Sequence, residues 1–236
     1  MKVQGSVVFV TGASRGLGLA FVREALARGA KKVYAGVRNP DTFKEPGVIA
    51  VKLDVTDPAS IAEAAKVASD VTLLVNNAGI AELTEGAFAQ SVEDQSRRIF
   101  ETNYYGVIRT TTAFEGSLPS DGNGGIINVL SDATWKAVTI LTPYSASKAA
   151  AWSYTNNTRA QLKDRNVHVV GLHVGFVDTD LTKGIDVPKA NPVDVVRQTY
   201  DALEAGESEI MADKGTRQLK QTLSAKVPGY VEFDAA

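Results

Sequence analysis

Between an apolar run at residues 7–10 and a helical stretch at residues 17–28, the chain contains Thr11-Gly12-Ala13-Ser14-Arg15-Gly16-Leu17-Gly18. The run before these glycines is apolar at every position, as in a strand that is buried on both faces. The stretch after them has apolar residues at a helical spacing. A glycine-rich turn from a buried strand into a helix lets the backbone approach a phosphate, and the helix presents free N–H groups to the anion. We therefore predict a phosphate-binding turn in the first strand–helix unit.

The same alternation of strand and helix continues along the chain. It predicts strands at residues 32–37, 48–53, 71–75, 125–130, 167–173 and 209–211, and helices at 91–113, 144–163 and 192–203, with another helix opening at Asp57-Pro58. Strands that alternate with helices form a parallel sheet that is covered on both faces. We predict a single α/β domain over residues 1–236, with a doubly wound sheet of about seven parallel strands. The irregular C-terminal residues are assigned no element.

The composition excludes several kinds of site. The chain has 236 residues, no cysteine and 2 histidines, so disulfides, thiolate zinc sites and iron–sulfur clusters are excluded, and we predict no bound metal. Its 25 Lys and Arg residues against 27 Asp and Glu residues give a net charge of −2, which argues against a nucleic-acid partner. No apolar run approaches the roughly 20 residues of a membrane-spanning helix, and the first residues show no signal core. These features predict a cytoplasmic protein without a membrane partner.

Three further motifs follow in order along the predicted sheet. Asn76-Asn77-Ala78-Gly79 follows the fourth strand, Ser131 follows the fifth, and Tyr144-Ser145-Ala146-Ser147-Lys148 opens the next helix. Together with the glycine turn, these motifs resemble the short-chain dehydrogenase/reductase family, and the resemblance extends over residues 6–212. It implies a Rossmann-type fold. It also implies an NADP(H)-dependent oxidoreductase that transfers a hydride between nicotinamide and a carbonyl or secondary alcohol.

Tyr144 and Lys148 lie one helical turn apart, so both side chains leave the same face of the helix. An ammonium about 4 Å from the phenol, at an effective dielectric constant near 20, stabilises the phenolate by about 4 kcal/mol. We therefore predict that Lys148 lowers the pKa of Tyr144 by about three units. The resemblance implies that Tyr144 exchanges a proton with the substrate oxygen, Ser131 orients that oxygen, and Lys148 also binds the nicotinamide ribose. It further implies that Asn103 completes the catalytic set by holding a water next to Lys148.

The cofactor preference is predicted from the end of the second strand, Ala35-Gly36-Val37-Arg38-Asn39. An arginine, and no acid, stands where such folds meet the adenosine ribose. Arg15 adds a second cation beside the glycine turn, and guanidinium groups bind phosphates with paired hydrogen bonds. We predict NADP(H) in preference to NAD(H). The predicted cofactor contacts are Gly12, Ser14, Arg15, Gly16, Leu17, Gly18, Arg38, Asp54, Val55, Asn77, Ala78, Gly79, Tyr144, Lys148, Gly175, Val177 and Thr179.

The turn after the sixth strand departs from the family pattern. The family usually has a proline there, and this chain has Val174, which lacks the fixed φ of proline. Only residues 181–191 remain as a substrate loop, so we predict an accessible pocket. Its mostly apolar lining favours an aliphatic or aromatic ketone or aldehyde. The predicted substrate contacts are Ser131, Ala133, Trp135, Thr142, Phe176 and Leu181, whereas His173 is predicted to serve strand packing.

Two other interpretations share the fold. An NADP-binding sensor or regulatory protein would have no reason to keep Asn103, Ser131, Tyr144 and Lys148 together. An epimerase or lyase would use the cofactor transiently, without net consumption of NADPH. The resemblance also implies a homodimer or homotetramer, formed by the helices that carry Asn103 and Tyr144.

Overall fold

The computed structural model describes residues 1–231. Within this range, seven strands form one parallel sheet: β1 (Val7–Thr11), β2 (Lys32–Val37), β3 (Ile49–Lys52), β4 (Leu73–Asn76), β5 (Gly125–Val129), β6 (His168–His173) and β7 (Glu209–Met211). Seven α-helices flank it: α1 (Gly16–Ala27), α2 (Pro58–Val67), α3 (Val92–Phe100), α4 (Gly106–Phe114), α5 (Thr142–Leu162), α6 (Pro192–Ala205) and α7 (Lys214–Thr222). The strand order is β3-β2-β1-β4-β5-β6-β7, which confirms the predicted doubly wound sheet.

β1 lies inside the sheet, and its side chains alternate between two apolar cores. Val8 faces the layer of α1 and α6, where the rings of Phe21 and Tyr200 meet edge to face with centroids 5.5 Å apart. Phe9 faces the opposite layer, where its ring centroid lies 4.6 Å from that of Phe114 on α4. Because successive residues of a strand point to opposite faces, a strand covered on both faces is apolar throughout.

The winding of the sheet changes direction between β1 and β4. From β1 the chain passes through α1 to β2 on one side, whereas from β3 it crosses through α2 to β4 on the other. The loops that leave the carboxyl ends of β1 and β4 therefore turn away from each other. Open α/β sheets place their ligands in the crevice that forms at this point.

The predicted helix at residues 91–113 is not one continuous α-helix. It consists of α3 and α4, joined by a π-helical turn at Glu101–Tyr105. Such a turn accommodates an extra residue, and the apolar period of a sequence does not reveal it. The turn contains Asn103, whose side chain is buried.

The C-terminal region contains a helix that the sequence pattern did not predict. α7 begins after Asp213, whose carboxylate accepts hydrogen bonds from the backbone N–H of Thr216 at 2.9 Å and from its hydroxyl at 2.6 Å. Thr216 is the buried residue of a mostly polar helix, so the apolar period that usually marks a helix is missing. Like the other helices within residues 1–231, α7 is not long and apolar enough to cross a membrane.

Candidate active site

The carboxyl ends of the strands enclose a cleft of about 560 Å³. The glycine turn forms one wall, and the segments that follow β4, β5 and β6 form the others. All the predicted cofactor contacts line this cleft: Gly12, Ser14, Arg15, Gly16, Leu17, Gly18, Arg38, Asp54, Val55, Asn77, Ala78, Gly79, Tyr144, Lys148, Gly175, Val177 and Thr179. Residues that are far apart in the sequence thus share one surface.

The glycine turn has no room for a side chain at Gly12 or Gly18. Gly12 has φ +65, and a Cβ there would lie 2.9 Å from Cα of Ala78. A Cβ on Gly18 would lie 2.3 Å from the carbonyl oxygen of Gly12 and 2.6 Å from Nδ2 of Asn77. Both glycines are therefore required by close backbone contacts. This leaves the start of α1, with its free N–H groups, open to an anionic ligand.

The loop after β4 is bonded directly to the glycine turn. The hydroxyl of Thr11 accepts hydrogen bonds from the backbone N–H groups of Asn77 at 3.0 Å and Ala78 at 2.9 Å. The side chain of Asn77 donates back to the carbonyl oxygens of Thr11 and Gly12. These bonds hold together the two walls of the crevice at the change in winding.

Two arginines face the end of the cleft near β2. Arg38 follows β2, and its charge helps hydrogen bonds from Thr56 to lower the pKa of Asp54. Arg15 precedes α1 and approaches Asp180 at 3.4 Å, with both side chains mostly exposed. An ion pair this exposed is weak. The guanidinium group of Arg15 can therefore turn toward an anion in the cleft.

Ser131, Tyr144 and Lys148 meet at the other end of the cleft. Lys148 is buried, donates a hydrogen bond of 2.8 Å to the carbonyl oxygen of Val129, and has its Nζ 5.6 Å from the ring centroid of Tyr144. Ser131 accepts a hydrogen bond from the backbone N–H of Ala133 at 3.1 Å. Its hydroxyl lies 3.2 Å from Oδ1 of Asp132, to which it donates. The set is thus held by backbone groups at the end of β5.

The predicted lowering of the pKa of Tyr144 is wrong for this arrangement of protein groups. Desolvation raises the pKa of Tyr144 to about 12, aided by the charge of Asp132 and opposed by a hydrogen bond with Ser131. Burial lowers the pKa of Lys148 to about 8. Burial disfavours the charged form of both groups. Tyr144 is therefore a neutral phenol at pH 7, the form that can donate a proton.

Asn103 lies beside this group but does not line the cleft. It is buried, accepts a hydrogen bond from the backbone N–H of Ile80 at 2.8 Å and donates to the carbonyl oxygen of Ile80 at 2.9 Å. It also donates to the Ser147 hydroxyl at 3.1 Å. A Cβ on Gly79 would lie 3.3 Å from Oδ1 of Asn103 and 3.7 Å from Nζ of Lys148, which places both residues at the same glycine.

Two of the predicted substrate contacts lie outside the lining of the cleft. Ser131, Ala133, Phe176 and Leu181 line the cleft, as predicted, but Trp135 and Thr142 do not. Trp135 points away and stacks on His173, because the 3₁₀ turn Asp132–Thr134 rotates it behind Ser131. The hydroxyl of Thr142 instead donates to the carbonyl oxygen of Thr139 at 2.8 Å, at the start of α5.

The substrate part of the cleft contains a charged pair that was not predicted from the sequence. Asp132 and Lys136 both line it, with Oδ2 and Nζ 2.8 Å apart. Their spacing of four residues was the available signal, but it is also common on exposed helices. The apolar lining residues that were not predicted include Leu83, Val138, Leu141 and Ile185.

Known proteins share this architecture. The crystal structure of a short chain dehydrogenase from Burkholderia cenocepacia J2315 in complex with NADP superposes with a TM-score of 0.90 and 37% identity, covering 96% of this chain and 95% of that chain. The 3-oxoacyl-(acyl-carrier-protein) reductase FabG of Vibrio cholerae is 31% identical over 195 residues, 79% of each protein. The rat (Rattus norvegicus) Dehydrogenase/reductase SDR family member 7B is 30% identical over 228 residues, 88% of this chain and 66% of that protein.

The family relationship covers most of the chain. The sequence model of the short chain dehydrogenase family matches residues 6–189, from the start of the first strand to the end of the loop after the sixth. This stretch contains the glycine turn and the Ser131, Tyr144 and Lys148 group that form the two ends of the cleft. The chain therefore belongs to the short chain dehydrogenase family.

Proposed function

We propose that the chain is an NADP(H)-dependent oxidoreductase that reduces apolar ketones or aldehydes to alcohols. The observation that carries this proposal is the meeting of Ser131, Tyr144 and Lys148 in one cleft with the glycine turn. At the glycines of the turn, an added Cβ would come into close contact with neighbouring atoms, and the turn leads directly into the N-terminus of a helix. The residues present therefore fit the phosphates of a dinucleotide. We propose that residues 1–236 act as one domain that binds the cofactor and carries out catalysis.

When bound, the reduced nicotinamide supplies a hydride to the carbonyl carbon of the substrate. The neutral phenol of Tyr144 donates its proton to the carbonyl oxygen as negative charge develops there. Ser131 orients that oxygen by donating a hydrogen bond to it. To do so, the Ser131 hydroxyl has to turn away from Asp132, to which it donates in this structure. The new C–H and O–H bonds give the alcohol and leave Tyr144 as a phenolate.

Lys148 is suited to restore the lost proton. Its pKa of about 8 lies well below the value of about 12 for Tyr144, so transfer of a proton from the ammonium toward the phenolate is favourable. Asn103 holds the loop after β4 against α5 and thereby positions Lys148. We propose that a water next to Lys148 connects it to solvent.

The two arginines support NADP(H) as the preferred cofactor. Arg15 and Arg38 line the end of the cleft near β2, where an adenosine 2′-phosphate would lie, and β2 ends without an acid. The similar protein from Burkholderia cenocepacia was crystallised with NADP. The test is the Michaelis constant for each cofactor. A much lower value for NADPH supports the proposal, and equal values for NADPH and NADH contradict it.

The lining of the substrate part of the cleft supports an apolar carbonyl compound. Ala133, Phe176 and Leu181 face it, and Asp132 and Lys136 neutralise each other's charge. We propose that residues 181–191 form a short substrate loop, in which Leu181 remains 52% exposed. A panel of ketones and aldehydes, followed by NADPH absorbance with NADH in parallel, tests the assignment. A highly charged sugar phosphate as the best substrate would contradict it.

We also propose that the chain forms a homodimer or homotetramer through α3, α4 and α5. Tyr105, between α3 and α4, is 46% exposed, and its ring centroid lies 5.2 Å from that of Tyr104. An exposed aromatic pair on packed helices is typical of protein interfaces. Sedimentation that shows only a monomer would contradict this proposal.

A further inference from the structure

A second set of contacts lies behind Ser131, outside the lining of the cleft. His173 is the last residue of β6, and its side chain is completely buried. Its Nδ1 lies 3.1 Å from the backbone carbonyl oxygen of Ser131. A carbonyl oxygen can only accept a hydrogen bond, so we assign a proton to Nδ1, which donates. A strand residue with no access to the cleft thus bonds directly to the backbone of the predicted catalytic serine.

His173 also contacts the far end of the same turn. Its ring stacks on Trp135, with centroids 3.8 Å apart and planes inclined by 19°. Ser131 precedes the 3₁₀ turn Asp132–Thr134, and Trp135 follows it. One imidazole therefore contacts both flanks of the turn. Since the backbone N–H of Ala133 within this turn donates to Oγ of Ser131, the position of the turn determines where the hydroxyl lies.

Glu209 lies on the opposite side of the imidazole. Its Nε2 lies 3.7 Å from Oε1 of Glu209, a distance longer than a hydrogen bond. Glu209 accepts hydrogen bonds from Nε1 of Trp152 at 2.8 Å and Nζ of Lys220 at 2.7 Å. These two donors favour the ionised form of Glu209. The stack on Trp135 and the hydrogen bond to Ser131 therefore orient the ring, and its Nε2 has no hydrogen-bond partner within residues 1–231.

We propose that His173 is a positioning residue for Ser131: its Nδ1–H fixes the backbone of Ser131 and thereby aims the Ser131 hydroxyl at the substrate oxygen. This inference rests on the proposed reductase function. A misplacement of about 1 Å at a reacting group can cost as much as about a hundredfold in rate. Loss of the donor therefore lowers kcat. Cofactor affinity depends on the glycine turn and stays unchanged.

Two substitutions separate the hydrogen bond from the stacking. His173→Asn keeps an N–H donor near the position of Nδ1 and loses the ring, whereas His173→Phe keeps a ring against Trp135 and loses the donor. We expect kcat with NADPH to fall about tenfold in His173→Phe and to stay close to wild type in His173→Asn. Both variants keep the wild-type dissociation constant for NADPH. The opposite order of kcat would show a packing role and overturn the proposal.

A double-mutant cycle separates positioning from general destabilisation. In a Ser131→Ala background the hydroxyl that His173 positions is absent, so adding His173→Phe causes no further loss in the single-turnover rate. If His173→Phe lowers the single-turnover rate as much in the Ser131→Ala background as in wild type, the proposal is overturned, because the substitution then acts through a group other than the Ser131 hydroxyl. Thermal unfolding of the same proteins identifies any variant whose rate reflects lost structure.

The proton on Nδ1 can be measured without any activity. The chain contains 2 histidines, so NMR of protein with isotopically labelled histidine shows only two imidazole rings, and His168→Asn identifies the other one. We expect a proton on Nδ1 of His173, and a bare Nδ1 would overturn the proposal. If Nδ1 carries the proton but wild-type protein reduces no carbonyl with NADPH, it is the proposed function that fails, and the bond from His173 to Ser131 stands.

Discussion

Nζ of Lys148 donates a hydrogen bond of 2.8 Å to the backbone carbonyl oxygen of Val129, the last residue of β5. This bond holds the ammonium below the cleft, one helical turn from Tyr144. It satisfies only one of the three donors of a lysine, and burial opposes the charge. Lys148 is thus the group in the proposed site whose charge changes closest to neutral pH.

The first prediction concerns the pH dependence of carbonyl reduction. Burial lowers the pKa of Lys148 to about 8, so the fraction of ammonium falls as the pH rises through that value. We expect the rate of NADPH-dependent reduction to decline above pH 8. Lys148→Arg, which stays charged, should move this decline to higher pH if it still turns over. A flat profile between pH 7 and pH 10 would contradict the role given to Lys148.

A second prediction concerns stability. The folded-state pKa of Lys148 is about 8 and the ordinary value is 10.5, so burying the charge costs its full free energy below pH 8. That cost disappears as the pH rises to the ordinary value, where the unfolded chain also loses its proton. Lys148→Met removes the charge but leaves the carbonyl of Val129 unpaired, so we expect the free energy of unfolding to rise by about 1 kcal/mol at pH 7.

The pH dependence of that gain provides the control. Denaturant titrations should show the gain of Lys148→Met shrinking above pH 8 and reversing before pH 10.5, because the cost of the buried charge disappears while the carbonyl of Val129 stays unpaired in the variant. A variant that is less stable than wild type at pH 7 would show that the buried ammonium is stabilising, contrary to its lowered pKa.

Cofactor discrimination gives a third prediction. Each charge-assisted hydrogen bond to a phosphate contributes about 1.5–3 kcal/mol, so Arg38→Ala should raise the Michaelis constant for NADPH by about 10-fold to 100-fold. The constant for NADH should change little. Arg97→Ala is a matched control, because Arg97 is an exposed residue of α3 that pairs with Glu93. An equal effect of Arg38→Ala on both cofactors would contradict the phosphate contact.

The glycine turn gives a fourth prediction. A Cβ on Gly18 would lie 2.3 Å from the carbonyl oxygen of Gly12, so Gly18→Ala must displace the turn. We expect a lower Tm and a loss of NADPH binding, measured by calorimetry and by fluorescence titration. Gly116→Ala is the matched control, because a Cβ there would have no atom within 4 Å. Wild-type NADPH affinity in Gly18→Ala would mean that the turn does not hold the cofactor.

Much of the fold was predictable because its signals are local. The apolar run at β1, the glycines after it and the motif from Tyr144 to Lys148 each specify their element within a few residues. The alternation of strand and helix then predicts a parallel, doubly wound sheet. The same local signals placed every predicted cofactor contact at the carboxyl edge of the sheet.

The remaining features depend on three-dimensional surroundings. Trp135 was predicted to line the cleft, but a 3₁₀ turn directs it onto His173. The pKa of Tyr144 was predicted from one charge at an assumed distance, whereas desolvation decides it in the folded chain. Similarly, α7 lacks the apolar period by which helices are found, since Asp213 and not an apolar face defines its start.

The central claim is that Tyr144 gives its proton to the carbonyl oxygen, and Tyr144→Phe tests it most directly. The measurement is the rate of NADPH consumption with the best ketone or aldehyde of the panel, alongside the dissociation constant for NADPH. Loss of a general acid lowers the rate by about 10²–10⁴-fold, so we predict a fall of that size with an almost unchanged dissociation constant. Turnover close to wild type in Tyr144→Phe would contradict the account.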